Sequence, residues 1–149
     1  MYHFGYGSNL NFDFLKKMLP SAKFAMKGYL PNYEVQFPFL SKKWQGGCSG
    51  IMEAPGEIVH GALYEVPEQE LITLDNIEGI YKGRYKRETF LVLGEDGEFH
   101  PADLYRVLEP KGPFTPSREY VDIMLSGARE LELDPDYIKK IEGFYSQGQ

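Results

Sequence analysis

The chain is short of cysteine, histidine, basic charge and long apolar runs, and each shortage removes a class of function. Cys48 is the only cysteine, so no disulfide closes within the chain and a reducing compartment is the expected setting. His3, His60 and His100 stand far apart in no ligand spacing, so the sequence offers no support for a structural zinc site. No apolar stretch is long enough to cross a bilayer as a helix, and no basic leader with an apolar segment opens the sequence. The expectation is a cytoplasmic protein without a membrane partner. Lys and Arg number 16 against 22 Asp and Glu, a net charge of −6. That is the wrong sign for a surface built on phosphate neutralisation, so no nucleic-acid partner is expected. The nearest thing to a basic cluster, Lys82-Gly83-Arg84-Tyr85-Lys86-Arg87, is interrupted by Gly83 and answered by Glu78 and Glu88; it reads as a solvated strand entrance.

What is present is aromatic. Eleven Tyr and ten Phe in 149 residues point to strand faces built from rings, and the length suits one α+β domain over residues 1–145 with a polar tail at 146–149. Alternating apolar residues predict strands at 22–30, 33–39, 49–54 and 58–66, with turns at Pro31-Asn32 and Pro55-Gly56 between them. A further hairpin is predicted from strands 85–93 and 99–107. Pro38 places the end of its strand at an edge. Short connections between these strands favour a mainly antiparallel sheet or partly closed barrel. Helical spacing predicts flanking helices at 11–18, from Pro67 to Glu78, from Ser117 to Leu131, and at 136–144. Monomer and homodimer both remain open.

Two features carry chemistry. The run Phe4-Gly5-Tyr6-Gly7-Ser8-Asn9-Leu10 reads as strand, tight turn and helix start, with Ser8 or Asn9 as the cap. Its amides suit an anion or a developing oxyanion; the alternative is an ordinary strand-to-helix connection. The second is Glu78, four residues after Leu74 on an apolar helix face and followed by Gly79 as the stop signal. A glutamate there is paired, protonated or functional. The pairing alternative is a salt bridge to Arg84 or Arg87. Cys48, within Gly46-Gly47-Cys48-Ser49-Gly50, reads as a small buried thiol, the alternative being a Cys–His catalytic pair. Trp44 is either a lid or a packing residue.

Together these stretches resemble the γ-glutamylcyclotransferase family. The resemblance rests on Tyr6-Gly7-Ser8-Asn9-Leu10 after the first strand, Leu74-Asp75-Asn76-Ile77-Glu78-Gly79, Tyr81-Lys82-Gly83-Arg84-Tyr85 and Pro116-Ser117-Arg118-Glu119-Tyr120. Gly127-Ala128 and Leu133-Asp134-Pro135-Asp136-Tyr137 extend it toward the C-terminus. It implies a mixed, mainly antiparallel β-barrel with flanking helices that cyclises a small-molecule γ-glutamyl amine or peptide to 5-oxoproline, with no metal or cofactor. Glu78 matches the family's catalytic glutamate. Tyr6, Gly7, Ser8, Asn9 and Leu10 match its substrate-binding loop, and Tyr105 falls where the family often carries a tyrosine near the substrate. A binding protein on the same fold, without catalysis, is the alternative reading.

Overall fold

The computed structural model describes residues 1–146; of the tail expected at 146–149, Ser146 ends a 3₁₀ turn (Gly143–Ser146) and 147–149 lie outside the described residues. Among them are five strands, β1 (Tyr2–Gly5), β2 (Lys23–Ser41), β3 (Gly46–Glu65), β4 (Tyr85–Gly94) and β5 (Phe99–Val107). Four helices flank them: α1 (Phe12–Met18), α2 (Glu68–Glu78), α3 (Arg118–Glu130) and α4 (Pro135–Glu142). The strands close into a barrel in the order β1-β3-β2-β4-β5. Every neighbouring pair is antiparallel except the closing one, where β1 runs parallel to β5 with His3 opposite Asp103. The chain is thus a single α+β domain built on a mixed barrel.

The turns expected at Pro31-Asn32 and Pro55-Gly56 are not reversals. Each lies inside a long strand, and the two face one another: Pro31 pairs with Ile58, and the next pair is Tyr33 with Glu53. Asn32 takes a φ of 69°, and its Oδ1 accepts a hydrogen bond from the Gly56 N–H at 3.1 Å. Turn-forming residues placed opposite each other make a paired bulge that bends a ribbon instead of ending it. Four expected strands are therefore two. Pro38 does lie where β2 has no further strand beside it. The segment after β5 covers that side, with the N–H groups of Lys111 and Phe114 donating to the carbonyls of Pro38 and Phe37.

Helix ends follow local chemistry. Ser117 Oγ accepts from the Tyr120 N–H at 3.2 Å, Asp134 caps α4 ahead of Pro135, and α2 stops at Gly79, whose φ is 78°. Helix α3 turns Tyr120, Val121, Met124, Leu125 and Ala128 onto the barrel interior, where they join Phe4, Leu30, Leu63, Val92 and Leu104. A second apolar cluster beneath α1 and α2 holds Leu15, Leu19, Tyr64, Leu71 and Leu74. Tyr85 and Tyr105 belong to that second cluster and also line the cavity described next.

Candidate active site

β1 delivers the chain to the cavity. Just beyond Gly5, Ser8–Leu10 form one 3₁₀ turn, with the Leu10 N–H donating to the Gly7 carbonyl at 3.0 Å. The first N–H groups of such a turn have no partner within it. The cap of α1 is not Ser8 or Asn9 but Asn11, whose Oδ1 accepts from the Phe14 N–H at 3.0 Å. The 3₁₀ turn interposes three residues and frees Ser8 and Asn9 from capping. Gly7 is required by close approach, since a Cβ there would lie 1.9 Å from Ser49 Oγ and 3.0 Å from the Tyr120 hydroxyl.

Tyr6, Gly7, Ser8, Asn9, Glu78 and Tyr105 all line one cavity. Leu10 does not; it is fully buried in the barrel core. The opposite wall comes from the β2–β3 connection, with Lys43 and Trp44, and from Cys48 and Ser49. Trp44 is a packed wall: its ring stands edge-on to Tyr120 at 5.0 Å and tilts against Phe14 at 5.8 Å.

Glu78 closes α2 at the cavity with Leu71 and Leu74 buried behind it. No cation lies within ion-pair distance of it among the described residues. Arg87, one of the two candidate partners, is held instead by Asp75 at 3.1 Å and Asp103 at 2.8 Å. Arg84 lines the cavity without forming a salt bridge to Glu78. Burial raises the Glu78 carboxyl from 4.5 to about 7, with the Lys43 charge pulling the other way. A carboxyl at that value both takes and returns a proton near neutral pH.

Around it stand phenols that burial holds protonated. The Tyr6 hydroxyl donates to the Tyr105 carbonyl at 2.6 Å, and the Tyr105 hydroxyl donates to Asp75 Oδ1 at 2.6 Å. Tyr120 and Ser49 share a 2.7 Å hydroxyl–hydroxyl bond, and the Tyr85 hydroxyl reaches the Ser49 carbonyl at 3.4 Å. Desolvation raises all four tyrosines, Tyr120 to about 12. The same effect lifts the Cys48 thiol to about 12, leaving essentially no thiolate. His3, which also lines the cavity, has both ring nitrogens engaged by the Asp103 carbonyl and the Asn9 side chain. Among the described residues Cys48 pairs with no histidine.

The sequence pattern does not single out His3, Ser49 or Asp75. Its one available signal is tyrosine in place of phenylalanine at Tyr85, Tyr105 and Tyr120, because a buried hydroxyl needs a partner.

Comparison with known proteins sets the chain among relatives. The model of the AIG2-like family matches residues 58–141. A protein from Bos taurus named γ-glutamylcyclotransferase is 29% identical over 143 residues, covering 93% of this chain and 76% of its own. One of the same name from Homo sapiens is 28% identical over 144 residues, covering 94% and 76%. A solved structure titled γ-glutamyl cyclotransferase superposes with a TM-score of 0.91 at 27% identity, covering 95% of this chain and 86% of that one.

Proposed function

Because the chain belongs to the AIG2-like family, we propose that it is a γ-glutamylcyclotransferase-type enzyme that converts a γ-glutamyl amine or peptide into 5-oxoproline and the free amine. The observation that carries this reading is Glu78, a carboxylate raised to about 7 and free of any ion pair among the described residues, in the cavity that also holds the glycine loop.

The substrate's α-amine arrives as an ammonium and is no nucleophile until it loses a proton. Glu78 takes that proton. The amine then attacks the γ-carbonyl carbon of the same molecule, closing a five-membered ring and leaving a tetrahedral oxyanion. As the oxyanion collapses, the bond to the leaving nitrogen breaks and Glu78 gives its proton to that nitrogen; the ring nitrogen, left with two hydrogens and a positive charge by the attack, gives one of them to the freed carboxylate, which passes it to the released amine as an ammonium. Atoms and charge balance without a metal or cofactor. Attack within one molecule makes positioning the main task, which falls to the cavity walls. The amides at Gly7, Ser8 and Asn9 serve either the oxyanion or the substrate's α-carboxylate. Tyr6 and Tyr105 hold the walls through their own hydrogen bonds, and Trp44 with Phe14 shapes the leaving-amine side. A free, buried Cys48 suits a cytoplasmic setting. Among the described residues no helix is long and apolar enough to cross a membrane.

The test is incubation with a panel of γ-glutamyl amino acids and γ-glutamylamines, following 5-oxoproline by mass spectrometry beside Glu78→Gln. Product from the wild type alone is expected. Binding of panel members without turnover in the wild type would instead identify a binding protein on this fold.

A further inference from the structure

Two buried side-chain atoms lack a hydrogen-bond partner among the described residues, Asn9 Oδ1 and His60 Nδ1. The first belongs to a cavity-lining residue that is only 8% exposed. Its orientation follows from His3 next to it. His3 Nδ1 lies 3.1 Å from the Asp103 carbonyl oxygen, which can only accept, so Nδ1 carries the proton. In a neutral ring the Nε2 then has a lone pair. The atom facing Nε2 at 3.1 Å must be a donor, which makes it the Asn9 amide nitrogen. Burial keeps the ring neutral by lowering His3 to about 4, against the opposing effects of the Asp103 carbonyl and carboxylate and with a smaller push from Arg87 in the same direction. The carbonyl–imidazole–amide chain thus holds Asn9 one way round, leaving Oδ1 as an acceptor without a partner, an arrangement that is costly unless something fills it.

We propose that His3 is a positioning residue that orients the Asn9 amide, and that Asn9 Oδ1 accepts a hydrogen bond from the α-ammonium of a γ-glutamyl ligand. This rests on the cyclotransferase reading above. An acceptor-only oxygen discriminates between the two ends of the glutamyl head: it attracts the ammonium and repels the α-carboxylate. It also holds the amine both before and after proton loss, because an amide oxygen bonds either form while removing no proton itself. The site therefore requires a free α-amine for binding as well as for chemistry.

Binding is measured by calorimetry in the Glu78→Gln background, which leaves the ligand uncleaved. The two probes are γ-glutamylmethylamide and glutaric acid monomethylamide, which lacks the α-amine. His3→Asn keeps an amide near the Nδ1 position but loses the acceptor at Nε2, whereas His3→Gln keeps an acceptor there. His3→Asn is expected to weaken the amine-bearing probe roughly tenfold, the effect of one hydrogen bond to a charged group, and to leave the other probe unchanged. His3→Gln restores most of the affinity. Asn9→Leu, which fills the volume without the amide, repeats the His3→Asn pattern and serves if that variant does not fold. Equal weakening of both probes, or no weakening in a folded His3→Asn protein, overturns the assignment while wild-type 5-oxoproline formation leaves the cyclotransferase reading standing. Absence of 5-oxoproline from the wild type across the panel removes that reading and this assignment with it.

Discussion

At Glu78 one cause, burial, acts on both reactivity and stability. A carboxyl raised to about 7 is about half ionised at neutral pH, so kcat/KM is expected to rise as pH increases through about 7, because the base must be ionised to accept a proton. Stability runs the other way. The unfolded glutamate ionises near 4.5 and the folded one near 7, so the fold holds the neutral form. The stability this group contributes is complete below about 4.5 and is lost as pH rises through about 7. Thermal melts of wild type and Glu78→Gln across that window should diverge as pH rises, with the variant retaining what the wild type loses; parallel curves would remove the shifted carboxyl. Cys48 is expected to be dispensable. Its protonated thiol makes Cys48→Ala cost about 1 kcal/mol of stability with turnover retained, and a loss of turnover in the folded variant would give the thiol a chemical role. Glu78 was visible in the sequence because helical spacing puts it on the face of Leu71 and Leu74. Ser49 was not, since a serine in a strand gains meaning only when Tyr120 and Tyr85 arrive from elsewhere.

At the scale of the element, the glycine loop is a strand end, one 3₁₀ turn and a separately capped helix. The sequence marks the glycines but misplaces the cap, because Ser8, Asn9 and Asn11 are all good N-cap residues and only the intervening turn selects Asn11. Asn11→Ala should cost about 1 kcal/mol in urea denaturation, the usual value of such a cap. Ser8→Ala, which removes no cap, should cost much less. Gly7→Val is expected to abolish turnover even where the protein still folds, since its side chain would enter the space of the Ser49–Tyr120 hydroxyl pair. A fully active Gly7→Val enzyme would mean that the loop adopts its working shape without that close approach. The paired bulge at Asn32 and Gly56 shows the same limit of local reading. Either segment alone is a turn, and their being opposite is a fact of register.

For the whole molecule, the closing contact is the parallel pairing of β1 with β5, which sets His3 beside Asp103 and brings the loop after β1 to the barrel wall that carries Tyr105. β1 is only four residues long but has a neighbour on each side. Its amides should therefore exchange with deuterium only through global opening, as slowly as those at the centre of β3. Fast exchange at His3 and Phe4 would indicate that the barrel opens at this seam. The consequence for the site is rigidity: the loop is anchored to a strand that cannot fray without opening the barrel.

By itself the sequence determined the helices, the strand periodicity, the glycine turn and the position of Glu78 on an apolar helix face. These depend on residues close together in the chain, where side-chain spacing and backbone freedom decide the outcome. The tertiary structure alone decided the parallel closure, the merging of four expected strands into two, the removal of Leu10 from the cavity wall, and the meeting of His3 with Asn9 and Asp103. Each of these depends on pairing between distant segments, and the state of a buried group is set by the neighbours that replace its water. That is why Glu78 could be found by spacing, while its freedom from Arg87 and its raised proton affinity required the folded chain.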